Sequence, residues 1–262
     1  MPEATLAEAS LEPPTDLVAR ARLLDQALRA DPNNIAVLMR ETLLLQSVGR
    51  MREAVGTALA AILTDPNSPA VLDNYISALA YNGQTEMAEQ QLKRAERLWR
   101  GTSTLAEIKW RFYFRIGDPK IAVQMANDQP SLTPSQMLFI EARANPSRQN
   151  IDKLISFYTS RLDVVANLPS LNFLSQAFVQ FHRENELYKI ALNWPKPQEL
   201  TENTDVWFRP AFHEFHRDAR FMQLAARTPL LRYWRTTGKW PDFCFEPDLP
   251  YDCKKEALKL AN

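Results

Sequence analysis

The chain has 262 residues with 31 basic and 31 acidic side chains, so it exerts no net pull on nucleic acid or an anionic membrane, and neither is expected as a partner. Only 6 glycines stand against 18 prolines, which disfavours sheet-rich folds and phosphate-cradling loops and favours helices joined by short turns. Apolar stretches such as Leu43–Leu44–Leu45 fall far short of the roughly 20 residues that span a bilayer.

Residues 1–14 are acidic, rich in Ala, Glu and Pro, and lack the basic start and apolar run of a signal peptide. They are expected to form a disordered leader. With two cysteines and no export signal, a reducing cytoplasm is the expected compartment.

Residues 15–197 carry a periodic pattern. A helix from Leu17 to Ala30 ends at Asp31–Pro32, and a 34-residue spacing then separates Gly49, Gly83 and Gly117. Ala54, Ala88 and Ala122 keep the same spacing, as do Ala27, Ala61 and Ala95. Asp31–Pro32–Asn33–Asn34 recurs as Asp65–Pro66–Asn67–Ser68, and Thr133–Pro134 falls in the same register. Each column has a physical role. A glycine just past a helix can adopt the left-handed conformation that closes it. An alanine lets antiparallel helices approach closely, and a proline ends one pair and opens the next. Apolar stripes at Leu38, Thr42 and Leu45, at Leu72, Ile76 and Leu79, and at Val55, Leu59 and Ile62 agree with helical hairpins.

On these columns the sequence resembles the tetratricopeptide-repeat (TPR) family, whose period is ~34 residues of helix–turn–helix. The resemblance implies an all-α superhelix, a TPR-like solenoid, with full repeats at 35–68 and 69–102 and a third at 103–133 with a shortened second helix. From Pro134 to about Pro169 the spacing persists loosely, broken at Asn145–Pro146. A helical stretch over about 170–193 stops at Trp194–Pro195. The resemblance also implies a concave face formed by the first helices. At its positions stand Met39 and Leu43, then Asp73, Ser77 and Tyr81, then Glu107, Arg111, Phe114 and Arg115. These residues are the candidate partner-binding groove, apolar at one end and charged at the other. Only the third repeat is basic there, so a carboxylate-binding groove like that of chaperone-binding members is not expected.

Residues 198–262 crowd Trp207, Phe208, Phe212, Phe215, Phe221, Tyr233, Trp234, Trp240, Phe243, Phe245 and Tyr251 into one short span, expected to form a helical capping module over the last repeats. Arg217–Asp218–Ala219–Arg220–Phe221 resembles a segment that follows the repeats in many bacterial TPR proteins. The stretches 233–235, 238–244 and 249–253 resemble the C-terminal tail of a proteobacterial group that often accompanies winged-helix regulators. That likeness implies a bacterial regulatory scaffold, with any DNA-binding or catalytic domain on a separate chain.

No G-x-x-x-x-G-K, G-x-G-x-x-G or G-x-S-x-G occurs. His213–Glu214–Phe215–His216 is one residue short of a zinc-protease motif, and Cys244 and Cys253 could complete a four-ligand set. The alternative is ordinary helix histidines with buried thiols, and the two cysteines could also pair. The expectation is a scaffold that binds a protein or peptide partner, with no catalytic residues, metal or cofactor. The alternative is a ligand-sensing or metal-binding regulatory domain with a deep pocket near His213, Trp234 and Cys244.

Overall fold

The computed structural model describes residues 2–13, 15–126, 132–162, 171–194, 200 and 203–260. Those residues form helices joined by turns, with no strand among them. The chain opens with α1 (Pro2–Leu11) and α2 (Leu17–Ala30), then α3 (Ile35–Ser47) and α4 (Met51–Thr64), then α5 (Pro69–Tyr81) and α6 (Thr85–Leu98). Next come α7 (Ser103–Arg115) and α8 (Pro119–Ala126), α9 (Pro134–Ala144) and α10 (Arg148–Thr159), and α11 (Leu171–Gln180) and α12 (Glu184–Ala191). Each of these helices packs on its successor, α3 also lies against α5, and α5 against α7. This packing is consistent with a helical solenoid in which α3, α5 and α7 share one wall.

Local chemistry sets the period. Asn34, Ser68 and Thr102 stand 34 residues apart, and each side chain accepts the N–H of the residue three further on, Val37, Val71 and Leu105, at 3.2, 3.5 and 3.3 Å. These contacts satisfy backbone donors that the first turn of a helix leaves free. Between hairpin partners, Gly49 and Gly83 adopt φ of 81° and 78°. Arg50 N–H then reaches back to Leu45 O and Gln84 N–H to Leu79 O, both at 2.9 Å. His182, with φ 58°, makes the same turn between α11 and α12. Ala54, Ala58, Ala61, Ala88 and Ala95 are fully buried where helices cross.

Two expectations are corrected. Residues 2–11 form a helix rather than a disordered leader. Alanine and glutamate favour helix, and Leu6 and Ala9 pack onto the core beside α2, so α1 and α2 make a hairpin. Gly117 does not take a left-handed conformation. A Cβ there would sit 2.5 Å from the Phe112 ring, so glycine serves a close approach. The end of α7 is closed instead by the Arg143 guanidinium, which donates to the carbonyls of Tyr113, Phe114, Ile116 and Gly117 at 2.7–3.2 Å. Within α4, Ile62 is buried and Leu59 is exposed, so the inner stripe there is mostly alanine.

The expected boundary at residue 197 lies outside the described residues. Beyond it come 3-10 turns at Thr204–Phe208 and Pro210–Phe212, then α13 (His213–His216), α14 (Arg220–Ala226) and α15 (Pro229–Thr237). A third 3-10 turn, Asp242–Phe245, and α16 (Cys253–Lys259) follow. Phe208, Phe221, Phe243, His216 and Trp234 form one ring cluster, with centroids 4.5–6.5 Å apart. Cys244 and Cys253 are disulfide-bonded, tying the last 3-10 turn to the start of α16.

The aromatic segment does more than cap the last repeats: it returns to the first ones. The Trp234 indole N–H donates to Val48 O at 3.0 Å, Thr204 Oγ1 to Ser47 O at 2.6 Å, and Asp242 N–H to Gly49 O at 2.9 Å. The Asp242 carboxylate accepts the Arg52 N–H at 2.9 Å. The α3–α4 turn is thus held from outside as well as by its own glycine. α15 also packs on α2.

Candidate functional site

The return of the C-terminal module adds a second wall to a space beside the repeats. The α3–α5–α7 wall faces α11 and residues 203–209 across a cavity of about 810 Å³. Met39 and Leu43 from α3, Asp73, Ser77 and Tyr81 from α5, and Arg111 and Arg115 from α7 all line it. The 34-residue register places these side chains on one face, because equivalent positions of successive first helices stack.

The other two predicted groove residues lie elsewhere. Phe114 is 3% exposed and packs on Trp110, Phe139 and Phe173, with centroids 5.2–6.0 Å apart. It is a core residue between α7 and the next hairpins, because a bare aromatic ring is most stable out of water. Glu107 is exposed and outside the lining, although its charge still acts on Asp73.

The cavity is polar and structured. Asp73 pairs with Arg111. Burial raises the Asp73 carboxyl above its ordinary range, against the pull of Arg111 and Arg115. Arg115 Nη1 donates to the Tyr81 hydroxyl at 3.3 Å. Arg209, from the C-terminal segment, is 5% exposed. Its Nη2 donates to Asp205 Oδ2 at 2.7 Å and its Nη1 to Gln176 Oε1 at 3.4 Å. Its guanidinium carbon lies 4.2 Å from the centre of the Tyr81 ring. Burial works against the Arg209 charge, and Tyr81 and Asp205 more than offset it, so the group titrates above its ordinary value. Arg209 therefore joins the two walls: α5 through Tyr81, α11 through Gln176.

Three residues of the lining also carry a polar atom that has almost no accessible surface and no hydrogen-bond partner among the described residues: Gln46 Nε2, Asn74 Oδ1 and Arg209 Nε. These atoms lie behind the lining rather than facing the cavity, and leaving them unpaired is costly.

Arg20, Gln46, Gln176, Asp205 and Arg209 also line the cavity and were not singled out from the sequence. Gln46 was findable, since it follows Met39 and Leu43 at helical spacing. Arg209 and Asp205 carried no periodic signal, because their place depends on a chain reversal far from the repeats. The basic character judged from the third repeat alone was therefore incomplete.

The second expected pocket is met only in part: a cavity near His213 is present, but Trp234 and Cys244 do not line it. Trp234 is fully buried with its indole N–H spent on Val48, and Cys244 is bonded to Cys253. His213 lines a separate cavity of about 380 Å³ and lies 3.5 Å from Glu246. The four-ligand alternative is likewise overturned. The two sulfurs are bonded to each other, and His216 Nε2 lies 2.5 Å from Trp207 O. A carbonyl can only accept, so that nitrogen carries the proton. Burial lowers the His216 pKa to about 3, keeping the ring neutral. No group of three His, Cys, Asp or Glu side chains among the described residues is placed to hold a metal ion. No helix among them is long and apolar enough to cross a membrane.

No protein-family model matches this chain, and no curated protein matches it.

Proposed function

We propose that this chain is a TPR-type helical-repeat scaffold that holds a short segment of a protein partner between its concave wall and residues 203–209. The observation that carries the reading is the cavity itself: positions chosen by repeat register meet there with Arg209 and Asp205 from the C-terminal module. Its charged lining is arginine and aspartate, two of each in ion pairs, with the Tyr81 hydroxyl beside them. That suits recognition better than catalysis, which calls for a nucleophile or a poised acid and base. The bacterial regulatory setting rests on the resemblance of the C-terminal stretches alone.

A second reading is favoured by the size of the cavity. About 810 Å³ lies within the ~300–1,000 Å³ of small-molecule sites. On that reading the chain senses a small polar molecule. The two readings separate in one experiment. The purified chain and a Ser77→Trp variant, which fills the cavity, serve as baits in lysate of the source organism, with thermal melts confirming that both fold. The scaffold reading expects a protein retained by the parent and lost by the variant. Equal retention by both baits, or no retained protein, contradicts it.

Compartment is a separate question. Cystines persist in oxidising compartments and are rare in the cytosol, so the Cys244–Cys253 bond and the cytoplasmic expectation pull in opposite directions. Alkylation of thiols at the moment of cell lysis decides between them.

A further inference from the structure

Helix α3 serves two sides of the molecule. Met39 and Leu43 line the cavity, and Glu41 lies about 200° round the helix from each, on the opposite side. There its carboxylate meets the seam between the repeats and the C-terminal module. Asp25 of α2, Arg50 and Glu53 at the start of α4, and Lys239, just past α15, all act on its charge. The buried Tyr233 of α15 feels Glu41 and Arg50 in turn.

The seam holds no bonded counter-charge for that carboxylate. Arg50 is already paired with Glu53, and Lys239, an exposed residue, acts on Glu41 through its field alone. Glu41 Oε2 has almost no accessible surface and no hydrogen-bond partner among the described residues. A charged oxygen in that position loses its hydration and gains no bond in exchange, whereas the neutral acid costs far less to bury. Burial accordingly raises the Glu41 pKa from 4.5 to about 6, against the pull of Lys239 and Arg50.

The same seam fixes where the second wall of the cavity stands. The turn that ends α3 accepts three bonds from the module on consecutive carbonyls: Thr204 Oγ1 on Ser47, the Trp234 indole on Val48 and the Asp242 N–H on Gly49. Thr204 belongs to the cavity wall, and Trp234 follows Tyr233 on α15, which packs on α2. We infer that Glu41 is a proton-operated clasp for the C-terminal module: as a neutral acid it lets α15 close on the first repeats, and as a carboxylate it loosens α15 and, through those three bonds, the cavity wall at 203–209. The clasp acts on the wall itself, whatever the cavity holds.

The test is native-state hydrogen exchange from pH 4 to 8 on the full chain and on Glu41→Gln, a change of the same shape that stays neutral throughout. His216 titrates alike in both proteins and cancels in their ratio. At the Trp234 indole and the Asp242 amide, the parent's opening constant divided by the variant's is expected to rise from near one at pH 4 to about 30 at pH 8. That is the factor set by a pKa of about 6 when the seam is closed and 4.5 when it is open. Amides within α5 and α6 are expected to keep a ratio near one. A ratio that stays flat at Trp234 and Asp242 would overturn the clasp, and this is the outcome if Lys239 swings in to pair with the ionised group. A rise of equal size throughout α5 and α6 would overturn it as well, since Glu41 would then act on the whole fold and not on the seam. Carboxyl NMR follows Glu41 itself: a midpoint near 6 is expected, and one in the ordinary glutamate range contradicts the clasp whatever the exchange shows.

Discussion

The repeats around α3–α7 and the module at 203–260 are built by different rules. In the repeats the same small set of contacts recurs every 34 residues: a capping side chain, a left-handed glycine and alanine crossings. Each contact is local, so each hairpin is specified by its own sequence. In the module no such unit repeats. Short helices and 3-10 turns are held by an aromatic cluster and by hydrogen bonds to residues far away in sequence. Trp234 and Val48, one such pair, are 186 positions apart. The difference teaches that the site is a product of both kinds of order: the periodic repeats supply one wall and the non-periodic module supplies residues of the other.

The largest expected effect acts through a side chain of the module. His216 is buried as a neutral ring, with its pKa lowered to about 3 by burial. The unfolded chain therefore binds a proton that the native chain refuses between about pH 6.5 and 3. Stability is fully present above pH 6.5 and is lost as pH falls, on the order of 5 kcal/mol over that window. Glu41, raised by burial to about 6, works the other way between pH 4.5 and 6. Its protonated form is favoured in the fold, so its contribution falls as pH rises. Urea unfolding from pH 7.5 down to 4 checks this. His216→Gln, which keeps a donor for Trp207 O, should flatten the acid limb, and an unchanged limb would place the titration elsewhere.

A smaller effect compares the two regions at one repeat position. Gly49 and Gly83 have nearly the same φ, so replacing either with alanine incurs the left-handed penalty of ~1–2 kcal/mol. At Gly83 the nearest atom to a new Cβ is Pro210 Cγ at 3.7 Å, an ordinary contact. At Gly49 the same Cβ would lie 2.6 Å from the Phe208 ring and 2.7 Å from Pro241. Gly49→Ala is therefore expected to cost about 3 kcal/mol or more, and Gly83→Ala about 1 kcal/mol. Equal losses would mean that the module does not press on the α3–α4 turn.

Smaller again is the cystine. Closing a loop nine residues long restricts the unfolded chain by about 2.5 kcal/mol. Cys244→Ser/Cys253→Ser should lower stability by about that amount. Exchange protection should fall first around Asp242 and Arg52, where the tethered turn meets the repeats. A loss spread evenly over α3–α7 would contradict the local account.

What could be read from the sequence follows the same division. The first and second helices of the repeats were legible because a glycine, an alanine and a capping residue each meet a local backbone need. Met39, Leu43, Asp73, Ser77, Tyr81, Arg111 and Arg115 were legible as a group because stacking carries register from one hairpin to the next. Phe114 was misplaced because register alone does not say which residue of the face the next hairpin covers. The function of Gly117 was misread because Arg143, donated from α9, closes that helix end in its place. Arg209 and Asp205 were not legible at all. Their position depends on the module reaching back to Ser47, Val48 and Gly49, and nothing in the local pattern encodes that reversal.

The central claim is that the partner touches both walls at once. Hydrogen exchange of the chain with and without its captured partner tests this directly. The account predicts that amides at 203–209 and near the inner face of α5 and α7 slow together, to a degree that Ser77→Trp abolishes. Slowing confined to outer helices such as α4, α6 or α16, with both walls unchanged, would contradict it.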